Sequence, residues 1–146
     1  MGTRREAREL ALQALYQLDV SGEGDPAHGL SHFFAHFDSH EHGDVQTFAR
    51  ELVEGVGANH ERIDALISES AEHWRLSRLS RVDLSLLRLA TFELLARPDI
   101  PASVTLNEAI EIARRFGSED SAPFVNGVLD HIAAVLGVKE KVGRAE

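Results

Sequence analysis

The chain has no cysteine in its 146 residues. Disulfides, thiolate metal sites and a cysteine nucleophile are thereby excluded, and a reducing compartment suits such a composition. Four prolines are scattered rather than clustered, so no proline-rich linker divides the chain. With 43% hydrophobic residues it reads as one globular domain able to bury most of its apolar surface. No apolar run reaches membrane-spanning length, and the charged N-terminus is followed by no signal-peptide core. The expectation is a soluble, cytoplasmic protein with no membrane association. Positive charge is also scarce, for the formal net charge is −9.

That deficit is local. Residues 21–73 carry eleven acids against Arg50 and Arg62, which accounts for the whole excess. Residues 74–97 carry five arginines against Asp83 and Glu93, and near the start Arg4, Arg5 and Arg8 precede Glu9 with only Glu6 among them. An acidic body with small basic patches suits a basic protein partner and weak binding of RNA by itself.

What is present is helical periodicity, with almost no strand signal. Ala7, Leu10, Ala11, Ala14 and Leu18 form one stripe, and the breaker-rich "SGEGDPAHG" ends it. A short "LSHFFAHF" follows, and then Val45, Phe48, Leu52 and Val56 form a second stripe. Asn59 is placed to cap a helix carrying Ile63, Leu66 and Ile67. Ser80 with Asp83 resembles a capping box before "VDLSLLRLATFELLA", which is apolar on nearly every side and belongs at the centre. After "RPDIP", Thr105 and Glu108 make a second capping box, and Gly117 is expected as a helix C′ residue. Ser121 is expected to cap the last helix, with Pro123 in its first turn and Gly137 beyond its end. The sum is an all-α fold of about seven helices, with residues 1–137 as a single domain and 138–146 as a charged tail.

Within "SAPFVNGVLDHI", Asn126-Gly127 interrupts a helical period. A mid-helix glycine costs about 1 kcal/mol relative to alanine, so Gly127 implies a tight helix crossing and Asn126 a hydrogen bond to a neighbouring loop.

On the first helix, at about 100° per residue, Arg5, Arg8, Leu12 and Tyr16 share a sector about 80° wide beside the apolar stripe. Guanidinium groups can pair with phosphates and a tyrosine ring can stack on an unpaired base. The same pattern also suits Leu12 and Tyr16 packing on another helix while the arginines are solvated. The turn "GSEDSAPF" offers a helix N-terminus suited to phosphate, with Phe124 near enough for a base or sugar. Glu119 and Asp120 there would stabilise the helix start, or accept from base amino groups.

His28, His32, His36 and His40 recur every four residues, a spacing that could present pairs to zinc or nickel. Pro26 and Gly29 disturb the series and no cysteine completes it, so the bland reading is a polar face opposite Phe33, Phe34 and Phe37. No metal or other cofactor is expected. Neither a Glu-x-x-His pair, a nucleophile elbow, a phosphate-cradling glycine loop nor His-Glu-x-x-His occurs, so no catalysis is expected.

Three stretches, "RREARELALQALYQLD", "LSRVDLSLLRLATFELL" and "NEAIEIARRFGSEDSAPFVNGVLD", closely resemble the NusB family of transcription antitermination proteins, in order from Arg4 to about Leu136. The resemblance implies two small packed helical bundles without catalytic activity. It implies binding of boxA RNA in nascent transcripts, chiefly of ribosomal RNA operons, together with the small-subunit ribosomal protein NusE. RNA polymerase so modified reads through terminators. Carried onto this sequence, the RNA-binding segment falls on Arg4, Arg5, Arg8 and Tyr16, with Asp120 and Phe124 as a second element. The NusE-binding surface falls near Trp74, Leu76 and Asp83. A homodimer is compatible with the resemblance, since relatives can use the RNA face for self-association. The alternative is a protein-interaction scaffold of the same fold without RNA affinity.

Overall fold

The computed structural model describes residues 3–21, 43–71 and 75–138. Six α-helices occur among them: α1 (Thr3–Ser21), α2 (Gly43–Ala58), α3 (His60–Ser70), α4 (Arg81–Ala96), α5 (Ala102–Phe116) and α6 (Ser121–Leu136), with a 3₁₀ turn at Leu76–Arg78. No strand is present among the described residues. The segment "LSHFFAHF", the histidine series, Trp74 and residues 139–146 lie outside them.

The near-continuous apolar run of α4 has the consequence its composition demands, because this helix packs against all five others. Leu84, Leu86, Leu87, Leu89, Ala90, Phe92 and Leu94 are all buried. On one side α1 and α2 pack against each other and against it, on the other α5 and α6 do so, and α3 packs on it between α2 and α6. A single hydrophobic cluster runs through both, including Ala11 of α1, Leu52 of α2, Ile67 of α3, Ile112 of α5 and Leu129 of α6. The two sides therefore share one core across α4. No helix among the described residues is long and apolar enough to cross a membrane.

Helix ends follow the sequence in some places and depart from it in others. Ser80 caps α4 as expected, its Oγ accepting from the Asp83 amide at 3.0 Å. Gly137 ends α6 with φ of 77°, and the Gly137 and Val138 amides donate to Ala134 and Ala133 carbonyls at 3.1 and 3.0 Å. That double bond is the Schellman arrangement, whose left-handed residue favours glycine.

Thr105, in contrast, is not a cap. The helix already begins at Ala102, and Thr105 lies buried one turn inside it, where its hydroxyl donates to Glu93 at 3.0 Å. Asn59 precedes α3 without capping it; its side-chain amide donates to the Gly55 carbonyl at 2.8 Å and so closes α2 instead. Ser121 is the first residue of α6 rather than its cap, and its hydroxyl accepts from the Ser118 amide at 3.0 Å. Gly117 is needed for space, since its φ of −96° is open to any residue. A Cβ there would lie 2.4 Å from the Ser121 hydroxyl and 2.9 Å from the Ala113 carbonyl.

The tight crossing expected at Gly127 is absent. Gly127 and Asn126 are exposed, and no atom of the described residues lies within 4 Å of where a Cβ of Gly127 would stand. The close approach is at Gly55, where a Cβ would fall 2.2 Å from the ring of Phe92. A mid-helix glycine signals one-sided access, but the sequence does not say whether a neighbour uses it.

Candidate nucleic-acid interface

Arg5 and Arg8 stand three residues apart on α1 and have opposite surroundings. Arg8 is 4% exposed. Its Nε and Nη2 donate to the two Glu93 oxygens at 2.7 and 2.8 Å, and Nη1 lies 3.8 Å from Glu108. Both prongs are engaged in the interior, so Arg8 is not available to RNA as the sequence suggested. The cause is that α1 packs against both α2 and α4. Its buried arc therefore extends past the apolar stripe to include Arg8 and Leu12. Glu93 was the legible signal, because a lone carboxylate within "LATFELLA" must find a cation or a strong donor once buried. Here it has Arg8 and Thr105.

Arg5 remains accessible, with its side chain 38% exposed. It forms a bidentate pair with Glu108, the Nη2 donating to one oxygen at 2.8 Å and the Nε to the other. That hydrogen bond, opposed by burial, holds the Glu108 carboxyl below its ordinary range. Arg4 is exposed and lies over the Phe48 ring at 4.4 Å, an attractive placement for a cation on a ring face. Arg97 lies over the same ring at 5.3 Å and pairs with Asp99 and Glu51. Tyr16, whose packing against a neighbour was one of two readings, is 41% exposed.

Along the α1–α5 seam, Arg5 pairs with Glu108, and Glu9 accepts from Arg115 at 3.0 Å. The two pairs follow in the same order on both helices, so α1 and α5 run in the same sense here. The turn after Phe116 thus lies toward the Tyr16 end of α1. Asp120 is exposed in that turn, Phe124 is half-buried in the first turn of α6, and Asp120 makes no side-chain cap to it. Phe116, which no motif in the sequence singles out, is 38% exposed at the end of α5 with the Arg115 guanidinium 5.6 Å from its ring centre. A phenylalanine beside a terminal glycine was the available clue, since a helix end leaves its last side chain little to pack on.

On the other flank, Leu76 is half-buried against the core in the 3₁₀ turn. Asp83 is half-buried in the first turn of α4, with Oδ1 enclosed and lacking a hydrogen-bond partner among the described residues. Nearby, Arg81 pairs with Asp19 at 2.7 Å, and Arg88 donates to both Asp64 oxygens at 2.9 and 3.0 Å.

These features define an all-α protein whose candidate site is an exposed edge of cations and aromatic rings. The NusB family model matches residues 5–134. A transcription antitermination protein NusB of Geobacter sp. (strain M21) is 51% identical over 146 residues, covering 96% of this chain and 100% of its own. The protein of that name from Myxococcus xanthus (strain DK1622) is 48% identical over 137 residues, covering 93% of this chain and 98% of its own. Among solved structures, T. maritima NusB superposes with a TM-score of 0.85 at 43% identity, over 96% of each chain. A crystal structure of antitermination factors NusB and NusE in complex with dsRNA matches with a TM-score of 0.78 at 26% identity, over 92% of this chain and 98% of the other. The chain belongs to the NusB family.

Proposed function

We propose that this chain is a transcription antitermination factor that binds boxA RNA of nascent transcripts, chiefly of ribosomal RNA operons, together with the ribosomal protein NusE. In that complex RNA polymerase reads through terminators. The observation that carries the reading is the edge of α1, where Arg4 and Tyr16 are exposed and Arg5 keeps 38% of its side chain in solvent. Family membership supports it, as does the fit to a relative solved with NusE and RNA. Residues 1–137 act as one RNA-binding domain. Arg4 and Arg5 contact phosphates, while Tyr16 and Phe124 offer ring faces to unpaired bases. Asp120 accepts from a base amino group. Arg8 is assigned to holding α1 in place. Trp74, Leu76 and Asp83 are assigned to contact with NusE, whose basic character suits the acidic segment. None of these roles calls on catalysis or a cofactor.

A scaffold without RNA affinity is the second reading. It is favoured by the internal pairing of Arg5, Arg81, Arg88, Arg97, Arg114 and Arg115 with carboxylates. One experiment separates the two: binding of a short boxA-like RNA and of a scrambled control, with and without NusE, at two salt concentrations. Selective binding strengthened by NusE, with a slope of about 0.7 per phosphate contacted, supports antitermination. Replacing Arg4 and Tyr16 by Ala is expected to weaken that binding about tenfold or more with the helical circular dichroism unchanged, since stacking alone contributes about 1–3 kcal/mol per base. Selective NusE binding without RNA binding would leave the scaffold.

A further inference from the structure

One carboxylate in the α1–α5 seam serves two arginines of opposite character. Glu108 accepts from Arg5 through both oxygens and lies 3.8 Å from Nη1 of Arg8. Arg8 is buried and already held by Glu93, whereas the Arg5 and Glu108 side chains keep 38% and 21% of their surface in solvent. Resting on the RNA-binding reading above, we propose that Glu108 is an internal competitor of RNA phosphate for the Arg5 guanidinium.

A carboxylate and a phosphate offer a guanidinium the same bidentate acceptor geometry, so the two compete for the same N–H groups. With Glu108 on the Nε–Nη2 edge, a phosphate must displace it or take the remaining Nη1–Nη2 edge against the repulsion of a nearby carboxylate. A phosphate that takes Arg5 leaves Glu108 with the neighbouring Arg8 guanidinium and with water, so the exchange strands no buried charge. The pair at Arg8 has no such freedom, because Glu93 is 1% exposed and would be left alone in the interior. Glu108 therefore lowers affinity for every RNA that uses Arg5, partly by occupying it and partly by repelling phosphate. Because the penalty is common to every such RNA, it sets the affinity of the edge and leaves the ratio between boxA-like and scrambled RNA unchanged.

The test compares the wild-type chain, Glu108→Gln, Arg5→Ala and the double variant, in complex with NusE, for binding of boxA-like and scrambled RNA at fixed salt. Thermal unfolding is followed alongside. Glu108→Gln is expected to bind both RNAs about three- to tenfold more tightly, and the gain is expected to vanish when Arg5 is Ala. Glu108→Asp retracts the carboxylate by one methylene while keeping its charge, and should give a smaller gain in the same direction. That variant also decides the matter if Glu108→Gln unfolds. Unchanged or weaker binding by the folded variants overturns the proposal, and so does an equal gain without Arg5, which would mark a general charge effect. Absence of selective RNA binding by the wild-type complex removes the functional reading and this proposal together. Selective wild-type binding indifferent to Glu108 removes the proposal alone.

Discussion

Arg8 and Glu93 show how a single charged side chain can be part of a core. Each is nearly inaccessible, and each completes the other's hydrogen bonding, with Thr105 adding a third bond to Glu93 at 3.0 Å. Arg8→Ala would leave a carboxylate buried without its counter-charge, so a loss of about 3–5 kcal/mol is expected in urea unfolding followed by circular dichroism. Arg8→Lys should lose much of the same stability, because an ammonium cannot match the two-pronged bond. Replacing the pair together, with Arg8→Met and Glu93→Leu, should recover most of the loss, since breaking a buried pair costs far more than exchanging it for apolar groups. Recovery no better than Arg8→Ala alone would argue against this account. In the sequence Arg8 and Arg5 look alike, because both lie beside the apolar stripe and nothing local reports that two helices flank α1. The residue that distinguishes them is 85 positions away.

At the scale of elements, the glycines separate what periodicity can reveal from what packing decides. Gly55 and Gly127 both sit inside helices, and both cost backbone entropy. At Gly55 the ring of the buried Phe92 fills the place of a side chain, so Gly55→Ala is expected to cost about 1–3 kcal/mol and lower the melting temperature. At Gly127 a methyl meets nothing among the described residues, so Gly127→Ala is expected to raise stability by about 0.5–1 kcal/mol. Paired melting curves check both signs, and equal effects would refute the distinction. The helices themselves were legible, because their apolar stripes repeat over three or more turns. Their starts were less so: Thr105 and Glu108 have capping-box spacing, yet they are drawn inward by Glu93 and across to Arg5 by groups on other helices. Exposure along the candidate interface was legible only in part for the same reason: Tyr16, Arg4 and Asp120 are exposed, whereas Arg8 is held in the interior and the exposure of Phe116 at a helix end is set by what packs beside it.

For the whole molecule, charge acts both as mortar and as surface. Arg5–Glu108, Arg115–Glu9, Arg88–Asp64 and Arg81–Asp19 each join different helices, so ion pairs tie α1 to α5 and α4 to its neighbours. Glu108 is held below its ordinary range, first by the hydrogen bond from Arg5. A carboxylate lowered in the folded state adds stability at pH above its unfolded value of about 4.3, and that stability is lost as pH falls through the folded value. The melting temperature should therefore drop as pH is lowered from about 5 to 3, and Glu108→Gln should make that drop shallower. An identical drop in the variant would show that other carboxylates govern acid sensitivity. Asp99 is shifted the same way by Arg97 but lies at the exposed surface, where solvent screens the pair, so it is not expected to contribute noticeably. The acids of α2 and α3, among them Glu54, Glu61 and Glu69, are exposed or partly so, and leave a negative surface on that side. If that surface steers the basic partner, the association rate with NusE should fall steeply between low and physiological salt.

The linear chain by itself determined the helical class, the central place of α4, the ends at Ser80 and Gly137, and the family, because these depend on patterns read within one or two helical turns or on runs of residue identity. Tertiary structure alone decided which arginine is interior and which keeps its side chain partly in solvent, which glycine is filled by a neighbour, and where the polar groups of Thr105 and Asn59 find their partners. The reason is physical. A local pattern specifies how wide a helix's apolar stripe is, but burial is set by how many neighbours surround that helix, and a charge survives burial only where another element brings its opposite.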